Sequence, residues 1–247
     1  MLHQALSEIG QHQIYSNRVY RIVETQEYAA TSGLVNNLDE QDLLEHLLDN
    51  VKPANKAGTE RLHYLISTPF RYPPLQYGSR FGSVLMPSFF YASEKISTTL
   101  AECAYYRFVF LDDMKAPYAN PVRSEHMTFG VNVKTDKMSD VTNIASDEIV
   151  ESVMSPSDYR FTQQVGLALT QNSDTLVIRF NSIRDNAHNA NVAIAEPSAI
   201  TSKKPLDNMN WICQTTLTTI SFNAYGESPV SFQLNDFLVD GRLPRPA

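Results

Sequence analysis

Apolar positions along the chain fall into short runs with two periods. Residues 18–23, Arg-Val-Tyr-Arg-Ile-Val, alternate and are rich in β-branched side chains, which predicts a strand. Met127, Phe129, Val131 and Val133 alternate in the same way, and strands are predicted over residues 87–91, 175–180 and 191–195. The last β-like runs are 211–222 and 230–237. The helical period takes over elsewhere. Leu2, Leu6 and Ile9 share one face of a short helix, and Leu43, Leu44, Leu47, Leu48 and Val51 make a longer stripe. That second helix opens at Asn37 with Glu40 three residues on, a box-like cap, and stops at Pro53. Leu62, Leu65 and Ile66 predict a short helix or the start of an extended segment over residues 60–67. The run 69–74 holds Pro69, Pro73 and Pro74 and is expected to be non-helical.

A helix is predicted over residues 94–110, capped by Ser93, with Ile96, Leu100, Cys103 and Ala104 as its core stripe. Another is predicted over residues 156–170, with Ser155 as cap, Pro156 in the first turn, and Tyr159, Phe161, Val165 and Leu169 as anchors. Residues 135–146 read as a polar loop, and the tail from Gly241, with two prolines and two arginines, reads as frayed. No internal repeat or linker divides the chain, so a single domain over residues 1–247 is expected.

Composition narrows this picture little. The chain has 247 residues, 43% hydrophobic and 19% charged, enough for one sizeable core without disulfide staples. Its two cysteines, Cys103 and Cys213, form no CxxC pair and suggest buried free thiols. A formal charge of −7 argues against a general nucleic-acid surface, so an anionic ligand must be met by a local arginine cluster. Residues 1–10 lack the basic start and apolar run of a signal peptide, and no stretch has the roughly 18 to 20 apolar residues that span a bilayer. A cytoplasmic protein without a membrane partner is expected.

The chemistry concentrates in residues 79–107. A Gly-flanked loop, Gly78-Ser79-Arg80-Phe81-Gly82, permits tight backbone and close approach of a ligand. Phe89-Phe90-Tyr91-Ala92-Ser93 and the helix carrying Glu102 follow. Glu102 lies off the apolar stripe, on a face with Thr98, Tyr105 and Tyr106. A carboxylate beside aromatic rings is costly unless paired, and a structural salt bridge to an arginine is one reading of it. A second dense stretch runs Phe180-Asn181-Ser182-Ile183-Arg184-Asp185. P-loop, GxGxxG, HExxH and GxSxG motifs are absent, and the six histidines show no ligand spacing, so no metal site is expected. His188 is readable as a general base near Ser182 or as a solvated side chain; His46 reads as solvated. Arginines, tyrosines, a glutamate and a serine suit a phosphate-bearing ligand whose bond breaks with positive charge developing on a sugar.

The order Arg80, Glu102, Ser182, set in Gly-Ser-Arg-Phe-Gly, Phe-Tyr-Ala-Ser, Leu-Ala-Glu and Phe-Asn-Ser-Ile-Arg-Asp, resembles the RES domain, a family named for its arginine, glutamate and serine. The resemblance runs over about residues 18–198. It implies an α+β fold, a mixed, mostly antiparallel β core flanked by helices, similar to diphtheria-toxin-like ADP-ribosyltransferases. It implies an enzyme that destroys NAD at the nicotinamide–ribose bond, by phosphorolysis with inorganic phosphate as co-substrate or by hydrolysis, and needs no cofactor. It implies a toxin of a toxin–antitoxin pair, with an Xre-type, helix-turn-helix antitoxin as partner. A protein mono-ADP-ribosyltransferase and a catalytically inactive NAD-binding module are the alternatives.

Carried over residue by residue, the resemblance gives Arg80 the NAD phosphates, helped by Arg21 or Arg184. It gives Tyr91 the nicotinamide-ribose end, Glu102 the scissile ribose, and Ser182 the nicotinamide or ribose side of the pocket. The chain departs from the family in extra sequence at both ends, near residues 112–120 and 135–151, and in an Asn-rich loop after Ser182 where the family usually shows glycines.

Overall fold

The computed structural model describes residues 1–25, 34–116, 118 and 120–246. Among these, helices α1 (Leu2–Ile9), α2 (Leu38–Val51), α3 (Tyr64–Arg71), α4 (Ile96–Asp112), α5 (Asp147–Val153) and α6 (Arg160–Asn172) surround one sheet. Its strands are β1 (Gln13–Glu24), β2 (Phe90–Ser93), β3 (Val122–Asp140), β4 (Val177–Asn181), β5 (Ala190–Ile194), β6 (Leu206–Thr215), β7 (Thr219–Asn223) and β8 (Val230–Gln233). The order is β1-β2-β5-β4-β3-β6-β7-β8, and β1 also pairs with β3, closing the first five strands on themselves. Only the β3–β4 pairing is parallel. The fold is α+β with a mostly antiparallel sheet. No helix among the described residues is long and apolar enough to cross a membrane.

Three apolar clusters hold the layers together. Inside the closed strands lie Val19, Phe90, Phe129, Val131, Val177, Val192 and Ile194, covered by Ile66 and Phe70 of α3. On one outer side α1, α5 and α6 contribute Ile9, Ile149, Val165 and Leu169 against Ile178 and Phe180. On the other, Leu100, Ala104, Tyr105 and Phe108 of α4 pack on Trp211, Ile220, Phe222 and Phe237. Helix α4 is therefore pinned by its neighbours, which holds the side chains on its remaining face in place.

Several sequence expectations change. Residues 69–71 are helical: α3 carries Pro69 in its last turn, because Phe70 is buried against Phe90 and its burial offsets the donor that proline lacks. Residues 135–140 are strand, not loop; β3 runs on to Asp140, pairing with β1 and β4 and burying Thr135, Ser139 and Asp140. Helix α5 follows. The strand expected over residues 87–91 starts three residues later, at Phe90. Ser93 ends β2 and is not a cap; Lys95 precedes α4. Helix α6 starts after Tyr159 instead of at Pro156, and Ser155 is not its cap. The α2 stripe stays largely exposed, with Leu43 at 61% and Val51 at 78%, although Asn37 caps the helix as its sequence predicts. The tail, described to Pro246, is docked: Arg245 pairs with Asp112 and Asp113, and Tyr105 donates to the Pro244 carbonyl.

Candidate active site

The Arg80 loop is built by glycines and a buried phenol. Gly78 has φ +71°, and a Cβ there would lie 2.3 Å from the Gly82 carbonyl oxygen. The Ser79 amide donates to that oxygen at 2.7 Å, closing the turn. The Tyr91 hydroxyl accepts from the Phe81 amide at 3.0 Å and lies 2.8 Å from Ser79 Oγ. Burial pushes this phenol up to about 12, so it stays protonated. From this base the Arg80 guanidinium extends over the Tyr159 ring, 4.3 Å from its centroid. It donates to the carbonyls of Val153 and Ser155 at 2.9 and 3.1 Å and to Tyr159 Oη at 3.2 Å.

Glu102 projects from α4 toward the start of β5 and the loop after β4. Its Oε1 accepts from Ser182 Oγ and from Asn191 Nδ2, both at 2.7 Å. Among the described residues no hydrogen bond falls on Oε2 and no cation pairs with this carboxylate, so the arginine salt bridge is not formed. Asn191 is held in turn by Ser93, whose hydroxyl donates to Asn191 Oδ1 at 2.7 Å. Ser182 is fully buried; its Oγ also accepts from the amides of Arg184 and Asp185 at 3.2 and 3.1 Å. The His188 ring is 2.8 Å from the Ser182 carbonyl oxygen, which ties it to the loop backbone and not to the hydroxyl.

Two further guanidiniums face the same space. Arg184 is buried, lies 3.6 Å over the Tyr105 ring and donates to the Pro156 carbonyl at 2.7 Å. Arg21 donates to the Tyr91 carbonyl at 3.0 Å and sits over Phe90; desolvation pushes its guanidinium down to about 10, which leaves it charged at neutral pH. Among the described residues, none of Arg21, Arg80 and Arg184 has a carboxylate within 4.0 Å. Three cations without acidic partners concentrate positive charge locally in a chain of charge −7.

These side chains line one cleft of about 1660 Å³, which includes Arg21, Arg80, Tyr91, Glu102, Arg184 and Asn191. Ser182 is absent from the wall and reaches the cleft only through Glu102. Sequence reading takes Tyr159 as a helix anchor and Asn191 as the opening of a strand, and so misses both. Nothing in their local pattern sets them apart; their roles come from residues about 80 positions away.

The cleft is also lined by His126, which is buried, with Nε2 at 3.1 Å from Arg107 Nη1. Burial first, and the Arg107 charge second, push its imidazole from 6.5 down to about 4. The unfolded chain therefore binds this proton first as pH falls. The stabilisation is complete above about pH 6.5 and is lost as the pH falls from 6.5 toward 4. Urea unfolding at pH 7 and pH 4.5 should show a smaller loss of stability in His126→Gln than in the parent. Equal losses would rule this histidine out as a source of the acid sensitivity.

Residues 56–216 match the RES domain family. No curated protein matches the chain. Among solved structures it is similar to a chain of the crystal structure of the MbcT-MbcA toxin-antitoxin complex of M. tuberculosis, at 11% identity and a TM-score of 0.46, covering 85% of this chain and 91% of that one.

Proposed function

Because the chain belongs to the RES domain family, we propose that its cleft binds NAD and cleaves the nicotinamide–ribose bond, with phosphate or water as nucleophile. One observation carries this reading. A carboxylate held only by neutral donors shares a cleft with three arginines that lack acidic partners. A dinucleotide supplies the complement to both, a pyrophosphate and a sugar carbon that becomes positive as its bond breaks.

In the reaction, Arg21, Arg80 and Arg184 meet the pyrophosphate with their remaining N–H groups. Arg80 and Arg184 are already fixed on backbone carbonyls, so little ordering is left for substrate binding. The bond from ribose C1′ to the pyridinium nitrogen breaks with its electron pair going to that nitrogen. Nicotinamide then leaves neutral, and no general acid is needed. Glu102 Oε2 faces the oxocarbenium-like carbon and offsets its charge. Phosphate or water forms the new C1′–O bond, and attacking water gives up a proton to solvent. The open aromatic ring of Tyr106, one turn along α4 from Glu102, lines the cleft where a flat ring can stack.

The biological role we propose is that of a toxin whose antitoxin, a helix-turn-helix protein, blocks the cleft; an adjacent gene of that kind would support it. The test of the activity is release of nicotinamide from NAD by the purified chain, with and without phosphate. Acceleration by phosphate identifies phosphorolysis, and ADP-ribose without it identifies hydrolysis. Labelled NAD that marks a macromolecule, or NAD that binds without turnover, would replace this reading with a transferase or an inactive module.

A further inference from the structure

We infer that Asn191 is a positioning residue for Glu102: its amide, anchored by Ser93, sets how the carboxylate is turned toward the cleft. The inference deepens the proposed reaction and rests on the reading that Glu102 acts at the scissile ribose.

Asn191 belongs to β5, where it pairs with Ser93 of β2 on one side and Phe180 of β4 on the other. Two strands therefore fix its backbone, and only 5% of the residue is exposed. Its amide has one orientation that satisfies both neighbours. The Ser93 hydroxyl donates to Oδ1, so Nδ2 must be the group pointing at Glu102. Ser182 donates to the same Glu102 oxygen from the other side. With two short hydrogen bonds on Oε1, rotation of the carboxylate would exchange satisfied for unsatisfied donors. Oε2 is left for the ligand. Because both donors are neutral, they hold the carboxylate without cancelling its charge, as an arginine would.

This arrangement has a consequence that mere packing would not have. In Asn191→Asp the shape is conserved, but a second carboxyl sits 2.7 Å from Glu102, and one of the two must keep a proton. With that proton on the introduced side chain, its O–H donates to Oε1 much as the amide does. When the proton is lost, the two carboxylates repel and the clamp opens. Activity of Asn191→Asp should therefore track protonation.

The experiment measures nicotinamide release between pH 5 and pH 8.5 for the full-length parent, Asn191→Ala and Asn191→Asp. Asn191→Ala should lose at least about tenfold in kcat across the range with KM changed less than about threefold, the signature of a misplaced group and not of lost binding. Asn191→Asp should be slow at pH 8 and recover toward the parent as pH falls, a limb that the parent and Asn191→Ala lack. A second measurement does not depend on turnover: in Asn191→Asp the Glu102 carboxyl ¹³C shift should change as the shared proton leaves the pair, a step between pH 5 and pH 8.5 that the parent lacks. An Asn191→Asp pH profile that follows the parent's, or a Glu102 ¹³C shift without that step, overturns the inference. If the parent releases no nicotinamide, the proposed reaction fails, and the ¹³C titration alone still decides whether Asn191 holds Glu102.

Discussion

Replacing Glu102 with glutamine is expected to slow nicotinamide release from NAD at least about 100-fold, the usual cost of removing a charge contact made in the transition state. The substitution is close to isosteric. The amide oxygen can still accept from Ser182 Oγ and Asn191 Nδ2, so the local structure should persist. What disappears is the negative charge that the proposed reaction sets against the ribose, where a neutral NH₂ takes the place of Oε2. The arginines to which that reaction assigns the pyrophosphate are untouched, so KM should move by less than about threefold. Steady-state kinetics on Glu102→Gln and on the parent check both numbers. A kcat within about threefold of the parent would mean that Glu102 does not act at the reacting carbon.

The second large effect is on the scaffold. Helix α6 touches the backbone of the Arg80 loop at Gly166, where a Cβ would stand 2.0 Å from the Phe81 carbonyl oxygen and 2.8 Å from its carbon. These are backbone atoms closed into a turn, with the Phe81 ring itself fully buried, so they cannot swing aside. Gly166→Ala should cost about 2–3 kcal/mol through overpacking, a fall in Tm of roughly 5–10 °C for a chain of this size. The same displacement carries Arg80 off the Tyr159 ring, so the variant should also bind NAD more weakly below its melting point. Calorimetric melting and NAD titration check the two parts. A Tm within about 2 °C of the parent would show that the helix and loop separate at little cost.

Both predictions depend on contacts between distant segments, and this is where sequence and structure part. The 79–107 stretch was legible because its signals are local. Glycines flanking Arg80 announce a tight turn, an apolar run announces β2, and a 3.6-residue period announces α4 with Glu102 off its stripe. The RES resemblance rests on short motifs in order, and matching of residues 56–216 to that family bears it out. Less legible were elements whose stability comes from a partner. Residues 135–140 are mostly polar, but a strand between β1 and β4 pairs their backbone and buries Thr135, Met138, Ser139 and Asp140. Pro69 should break a helix, but Phe70 keeps the last turn of α3 seated on Phe90. The tail looks frayed until Arg245 meets Asp112 and Asp113.

By itself, the amino-acid order determined the kinds of element, most of their places, and which guanidiniums, phenol, carboxylate and hydroxyl to watch. Only the tertiary structure decided what each of them touches. Ser182 turns inward to Glu102 instead of lining the cleft, Tyr91 braces the Arg80 loop, and Asn191 joins the site. The physical reason is range: periodicity and turn chemistry act over a few residues. The bonds on Glu102 join residues 80 and 89 positions apart, and only the packing of helix α4 on the sheet, with the β2–β5–β4 register, brings them within 2.7 Å.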